Sequence, residues 1–148
     1  MNRHIVHCDL DTFFVSVARL LNSSLIGKPV LIGGTSDRGV VSSCSYEART
    51  FGVHSAMPMK LATRLCPQAI IVKGDYEQYS KYSNMVTEII SQRVPLVEKA
   101  SIDEHYLDLT GMDRFFRSLE NYPGTQTGNN KGDRSSHQLR VLTEKNCQ

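Results

Sequence analysis

The sequence predicts a mixed α/β (α+β) unit, and three observations support this. Short apolar runs bounded by Gly, Pro or Asp read as strands. Longer segments repeat their apolar residues at helical spacing. The 148 residues are 40% hydrophobic and 22% charged, enough apolar content for a packed core and too much for a disordered chain.

Ile5-Val6-His7-Cys8 reads as a buried strand ended by Asp9. From Phe13 to Leu21, Phe13, Phe14, Val17, Leu20 and Leu21 recur at helical spacing. Gly27-Lys28-Pro29 breaks the helix and leads into the strand Val30-Leu31-Ile32, closed by Gly33-Gly34. Gly39-Val40-Val41 begins another strand, and Tyr46 to Arg49 forms a turn or short helix before Gly52. Met59 to Cys66 is a helix placed between Pro58 and Pro67. Ala69 to Val72 is a strand, and Tyr76 to Arg93 is the longest helix. Val97 to Ala100 and Tyr106 to Leu109 make a hairpin around an acidic pair. From Leu119 to Gly132 apolar periodicity disappears.

Charge and cysteine usage narrow the function classes. Through Phe116 the chain has 12 Lys/Arg against 12 Asp/Glu, and from Arg117 onward 5 against 3. The first part is neutral and has no basic block that grips nucleic acid alone. The cysteines at 8, 44, 66 and 147 form no Cys-x-x-Cys pair and lack histidines at zinc spacing. They read as free thiols of a reducing cytoplasm. No apolar run reaches the roughly 20 residues of a membrane span, and no signal peptide opens the chain.

Two acidic clusters stand at the ends of strand-like runs: Asp9-Leu10-Asp11 and Ser101-Ile102-Asp103-Glu104. Hard cations such as Mg²⁺ take carboxylate and phosphate oxygens. Two such ions held about 4 Å apart can clamp the attacking and leaving oxygens of an in-line displacement. Asp9 and Asp103 can bridge both ions if their strands are neighbours. The alternative is that both clusters are solvated strand ends. In Ser45-Tyr46-Glu47-Ala48-Arg49 a phenol and a guanidinium share one turn, suited to phosphate or to a surface salt bridge. Phe13 and Phe14 are core residues by periodicity, while one ring could instead wall a sugar.

Taken together, these motifs resemble the Y-family (translesion) DNA polymerases, most closely their bacterial polymerase IV branch. The resemblance rests on Asp9-Leu10-Asp11-Thr12-Phe13-Phe14, Gly27-Lys28-Pro29-Val30, Ser45-Tyr46-Glu47-Ala48-Arg49, Phe51-Gly52-Val53, Met57-Pro58, Leu65-Cys66-Pro67 and Ser101-Ile102-Asp103-Glu104. It covers roughly residues 4 to 116. It implies a partial ferredoxin-like palm sheet with a small inserted fingers subdomain. The palm would take residues 1–20 and 76–116, the fingers 21–75, and residues 117–148 would be an off-pattern tail.

The resemblance implies two Mg²⁺ ions held by Asp9, Asp103 and the Leu10 carbonyl. Glu104 would be the third catalytic carboxylate, near the primer 3′-hydroxyl, and Asp11 a motif residue but not a principal ligand. Tyr46 and Arg49, with Ser43 nearby, would hold the triphosphate. Phe14 would be the steric gate against ribonucleotides. His105 stands where the family often has a small or aromatic residue. The implied partners are dNTP, primer-template DNA and a sliding clamp, in the cytoplasm and away from membranes. The clamp-binding segment, thumb and little finger lie beyond the matched part. The expectation is therefore an impaired polymerase, with two alternatives: a non-catalytic palm-fingers fragment, or a phosphatase of the haloacid dehalogenase kind read from Asp9-Leu10-Asp11-Thr12.

Without its last strand and helix, the palm sheet is expected to have an open edge and an uncovered face. The tail reads either as a frameshift product or as the unrelated tail of a natural short homologue. One nucleotide later, codons permitted for Leu119 to Arg140 allow a helix followed by a Thr-Gly-Leu-Pro strand. Sequencing the coding DNA past the Phe116 codon should show that offset frame running on, and a frame closed by stop codons removes the frameshift.

Overall fold

The structure is a computed structural model that describes residues 4–120, 125–126 and 136–142. In chain order the elements are β1 (Ile5–Asp11), α1 (Phe13–Leu21), a 3₁₀ turn (Ser23–Leu25), β2 (Val30–Gly33) and β3 (Val41–Cys44). These are followed by α2 (Tyr46–Arg49), α3 (Met59–Leu65), β4 (Ile70–Val72), α4 (Tyr76–Ser91), β5 (Leu96–Lys99) and β6 (Glu104–Asp108). Last come α5 (Asp113–Glu120), β7 (Thr125–Gln126) and β8 (Ser136–Leu142). The elements expected up to Leu109 are all present, and the 3₁₀ turn is additional. No helix among the described residues is long and apolar enough to cross a membrane.

The chain divides into two compact units, Met1–Asp11 with Ser80–Gln148, and Thr12–Tyr79. The expected division put residues 1–20 with the palm, whereas here α1 belongs with 12–79. Its Arg19 explains the grouping, because the guanidinium donates to the carbonyls of Leu25 (3.2 Å) and Lys28 (2.9 Å).

The first unit is built on a five-stranded sheet in the order β5-β6-β1-β8-β7. β6 pairs antiparallel with both β5 and β1, which gives the expected partial ferredoxin-like sheet. β1 alternates, turning Val6, Cys8 and Leu10 inward, as period-two geometry requires. Val6, Cys8, Val94, Leu107 and Leu109 form the core, with Ile90, Val97, Met112 and Phe115 packed against it.

The open edge expected of the palm sheet does not fall at β1. β8 runs parallel to β1 from Ile5↔Ser136 to Asp11↔Leu142, and β7 pairs with β8. The physical reason is that a mostly buried strand needs partners for its backbone N–H and C=O groups on both sides. The tail therefore contributes strands to the sheet. Much of the stretch expected to lack periodicity (121–124 and 127–132) lies outside the described residues.

In the second unit, β2 lies between antiparallel β3 and parallel β4. Its core is Leu31, Val41, Cys44, Ala48, Val53, Met57, Met59, Ala62 and Cys66. Leu31 on the central strand is fully buried. Leu31→Ala should cost about 3 kcal/mol through lost burial and an unfilled cavity, measured as a shift in the urea unfolding midpoint.

Candidate functional site

The acidic clusters meet through strand pairing. β1 and β6 are antiparallel neighbours, with Asp9 level with Glu104 and His7 level with Tyr106. Directly paired residues project to the same sheet face. That face carries His7, Asp9, Glu104 and Tyr106, while Cys8 and His105 occupy the core face. The His7 ring stacks on Tyr106 at 4.8 Å between centroids, and its Nε2 lies 3.6 Å from Glu104 Oε1.

Asp103 sits in the hairpin tip just before β6. The Leu10 N–H donates to the Asp103 carbonyl at 2.9 Å, so the two motifs are joined by backbone as well as by register. The tip closes through the N–H groups of Ala100 (3.0 Å) and Ser101 (3.3 Å), both donating to the Glu104 carbonyl. Ser101 Oγ lies 3.0 Å from Asp103 Oδ1 and 3.2 Å from Glu104 Oε2. One hydroxyl proton thus serves two carboxylates.

Asp9, Asp103 and Glu104 are half-buried, and Asp11 is buried. Among the described residues no group of three or more His, Cys, Asp and Glu side chains is arranged to hold a metal by itself. The donors nevertheless suit Mg²⁺, which takes one or two carboxylates and completes its shell with water or substrate phosphate. Softer ligation is disfavoured, because Cys8 faces the core. Burial, with the Asp9 charge adding to it, pushes its thiol up to about 11.

The residues expected to hold the triphosphate lie in the second unit. Ser45 caps α2, its Oγ accepting from the N–H groups of Ala48 (3.3 Å) and Val30 (2.9 Å). Tyr46 and Arg49 share the half-buried side of this one-turn helix, with the Arg49 guanidinium carbon 4.9 Å from the Tyr46 ring centroid. Ser43 is buried in β3, two residues before the cap. Glu47 accepts from Arg19 Nη2 at 2.9 Å, so α2 is tied to α1.

Phe13 is core, but Phe14 is only half-buried. Its ring stacks on Tyr79 at 4.3 Å and meets Tyr76 edge-on at 6.0 Å.

The sequence alone did not single out His7, the Ser101 hydroxyl, the Arg19–Glu47 pair, or a set of hydroxyls on α4. Ser83 Oγ donates to the Ile102 carbonyl, and Thr87 Oγ1 meets His105 Nε2 at 2.8 Å. The i, i+4 spacing of Ser83 and Thr87 was the available signal. His105 is fully buried, and its pKa is lowered by that burial and by the Lys99 charge, with Asp103 opposing.

The sequence profile of the impB/mucB/samB family matches residues 8–139. DNA polymerase IV of Treponema denticola is 48% identical over 115 residues, 78% of this chain and 29% of that protein. DNA polymerase IV of Lactococcus lactis subsp. cremoris is 55% identical over 113 residues, 74% of this chain and 31% of that protein. The chain thus spans about three-tenths of the length of these curated relatives. Among solved structures, a post-insertion binary complex of Dbh DNA polymerase superposes with a TM-score of 0.70 at 34% identity. It covers 81% of this chain and 36% of that one.

The Arg19–Glu47 tie has a measurable signature. Burial pushes the Glu47 carboxyl up, but hydrogen bonds from Arg19, its own backbone and Ser45, with the Arg19 charge, bring it below the ordinary value of 4.5. Its stabilising contribution is complete above the unfolded value and fades as pH falls through the lowered folded value. Arg19→Met should cost about 2 kcal/mol by leaving carbonyls and a carboxylate without their donor. It should also flatten the acid limb of the stability–pH curve, as read by urea titrations across that range.

Proposed function

The chain belongs to the impB/mucB/samB family, and from that membership we propose that it carries the nucleotidyl-transfer centre of a Y-family translesion DNA polymerase. The reaction joins a dNTP to a primer 3′-hydroxyl and releases pyrophosphate. The observation that carries the proposal is the β1–β6 register. It sets Asp9 level with Glu104 while the Leu10 N–H holds the Asp103 carbonyl. Family membership leaves the haloacid dehalogenase alternative without support.

In this reading Asp9 and Asp103, with the Leu10 carbonyl, hold two Mg²⁺ ions. When bound, the ions supply Lewis-acid stabilisation of the attacking and leaving oxygens. Glu104 completes the acidic set beside the primer 3′-hydroxyl. Ser101 shares its proton between Asp103 and Glu104 and so steadies both. Tyr46 and Arg49 bind the triphosphate, where a planar guanidinium matches phosphate oxygens in pairs, and Ser43 supports them. Phe14, braced by Tyr79 and Tyr76, denies room to a ribose 2′-hydroxyl. Primer-template DNA is the partner. The reading carries the chain to the cytoplasm, where DNA and nucleotides are found.

Residues up to Phe116 are charge-neutral, and duplex affinity depends on neutralised phosphates. Tested alone, this chain should bind Mg²⁺–dNTP but extend primers far more slowly than a full-length relative. Arg49→Ala should weaken Mg²⁺–dATP binding about tenfold in calorimetry. Unchanged affinity in that variant would remove the triphosphate assignment.

A further inference from the structure

Helix α4 carries Ser83 and Thr87 one turn apart, and both reach the acidic hairpin. Ser83 is fully buried, and its hydroxyl donates to the carbonyl of Ile102, the residue before Asp103. The Thr87 hydroxyl lies 2.9 Å from the Ser83 carbonyl and donates its single proton there. Towards His105 it is therefore the acceptor, and Nε2 carries the hydrogen of the neutral imidazole. His105 is the residue after Glu104, so hydroxyls of one helix hold both flanks of the acidic pair. The third hold is the Leu10 N–H on the Asp103 carbonyl.

Neither hydroxyl touches a carboxylate. Each fixes the backbone or ring next to one. The four-residue tip (100–103) lies outside the paired positions of β5 and β6, whose ladder begins at Lys99↔His105. Without these ties Ile102 and Asp103 would be steered from outside the hairpin by the β1 bond, with the Ser101 hydroxyl and the tip's own backbone bonds acting from within it. Ligand geometry for a divalent ion tolerates about 0.5 Å of error, so the tip needs fixing from more than one direction.

We propose that Ser83 and Thr87 are positioning residues for the cation-binding carboxylates, latching the hairpin tip to α4 through the Ile102 carbonyl and the His105 ring. The inference rests on the cation-site reading above, and the experiment separates the two.

Mn²⁺ alone, titrated against the 148-residue chain and followed by electron paramagnetic resonance, reports the site without turnover. Asp103→Asn tests the site itself. Thr87→Val keeps the side-chain shape and removes the hydroxyl, Thr87→Ser restores it, and Ser83→Ala cuts the second tie. Met59→Ala, in the core of the other unit, controls for general destabilisation.

Thr87→Val and Ser83→Ala should each weaken Mn²⁺ binding about tenfold, the scale expected when a ligand's supporting hydrogen bond is lost. Thr87→Ser and Met59→Ala should bind like the parent. Exchange of the Leu10 amide hydrogen should speed up in the same two weakened variants and not in Met59→Ala. Parent-like Mn²⁺ affinity in Thr87→Val, alongside loss in Asp103→Asn, would overturn the latch and leave the site intact. Parent-like affinity in Asp103→Asn would sink the site reading and the latch with it.

Discussion

The arrangement of the site depends on one constraint, the register of the antiparallel pair β1–β6. Acidic residues from distant parts of the sequence meet because Asp9 and Glu104 occupy the same rung. A slip of one residue would turn every side chain of β6 to the opposite face. Glu104 would enter the apolar core, and His105 would take its place among the carboxylates. The register is held by burial of Val6, Cys8 and Leu107 on one side and by the Leu10–Asp103 backbone bond at its end. Apolar packing thus determines where the charges stand.

Both units use a similar device around their polar residues. In the first, hydroxyls of α4 and the N–H of Leu10 hold the chain on either side of Asp103 and Glu104. In the second, Ser45 and the Arg19–Glu47 pair hold the short α2. A one-turn helix has little stability of its own, because nucleation costs more than so few hydrogen bonds return. Its half-buried Tyr46 and Arg49, the residues proposed to bind the triphosphate, stay in place because their neighbours Ser45 and Ala48 are fully buried. Working and anchoring residues alternate within five positions, so the motif reads as a unit in the sequence.

Most elements up to Leu109 were legible, since they rest on local patterns: apolar alternation, helical spacing, and Gly or Pro boundaries. The acidic residues were legible as chemistry, but their meeting depended on strand pairing that no local pattern encodes. Phe14 shows the limit of periodicity. Its spacing assigns it to the core beside Phe13, yet its ring packs on Tyr79 and remains half-exposed. The α4 hydroxyls were missed because Ser and Thr in a helix normally face water or bond back to their own turn. β8 was missed because residues 136–142 carry too little alternation to announce a strand, and its place comes from the unmet hydrogen-bonding edge of β1.

The Phe14–Tyr79 stack bears on how the chain folds. Pairing Asp9 with Glu104 closes a loop of about 95 residues, an entropically costly step that also slows folding. The stack joins points near the two ends of the unit spanning 12–79. Once that unit has closed on itself, the chain left to be ordered between the two strands falls to about 30 residues. The logarithmic cost of closure then drops by about 1 kcal/mol. During synthesis, at roughly 5–20 residues per second, several seconds separate the emergence of Asp9 from that of Glu104. The ring proposed as a sugar gate thus also shortens the search by which the first strand finds its partner.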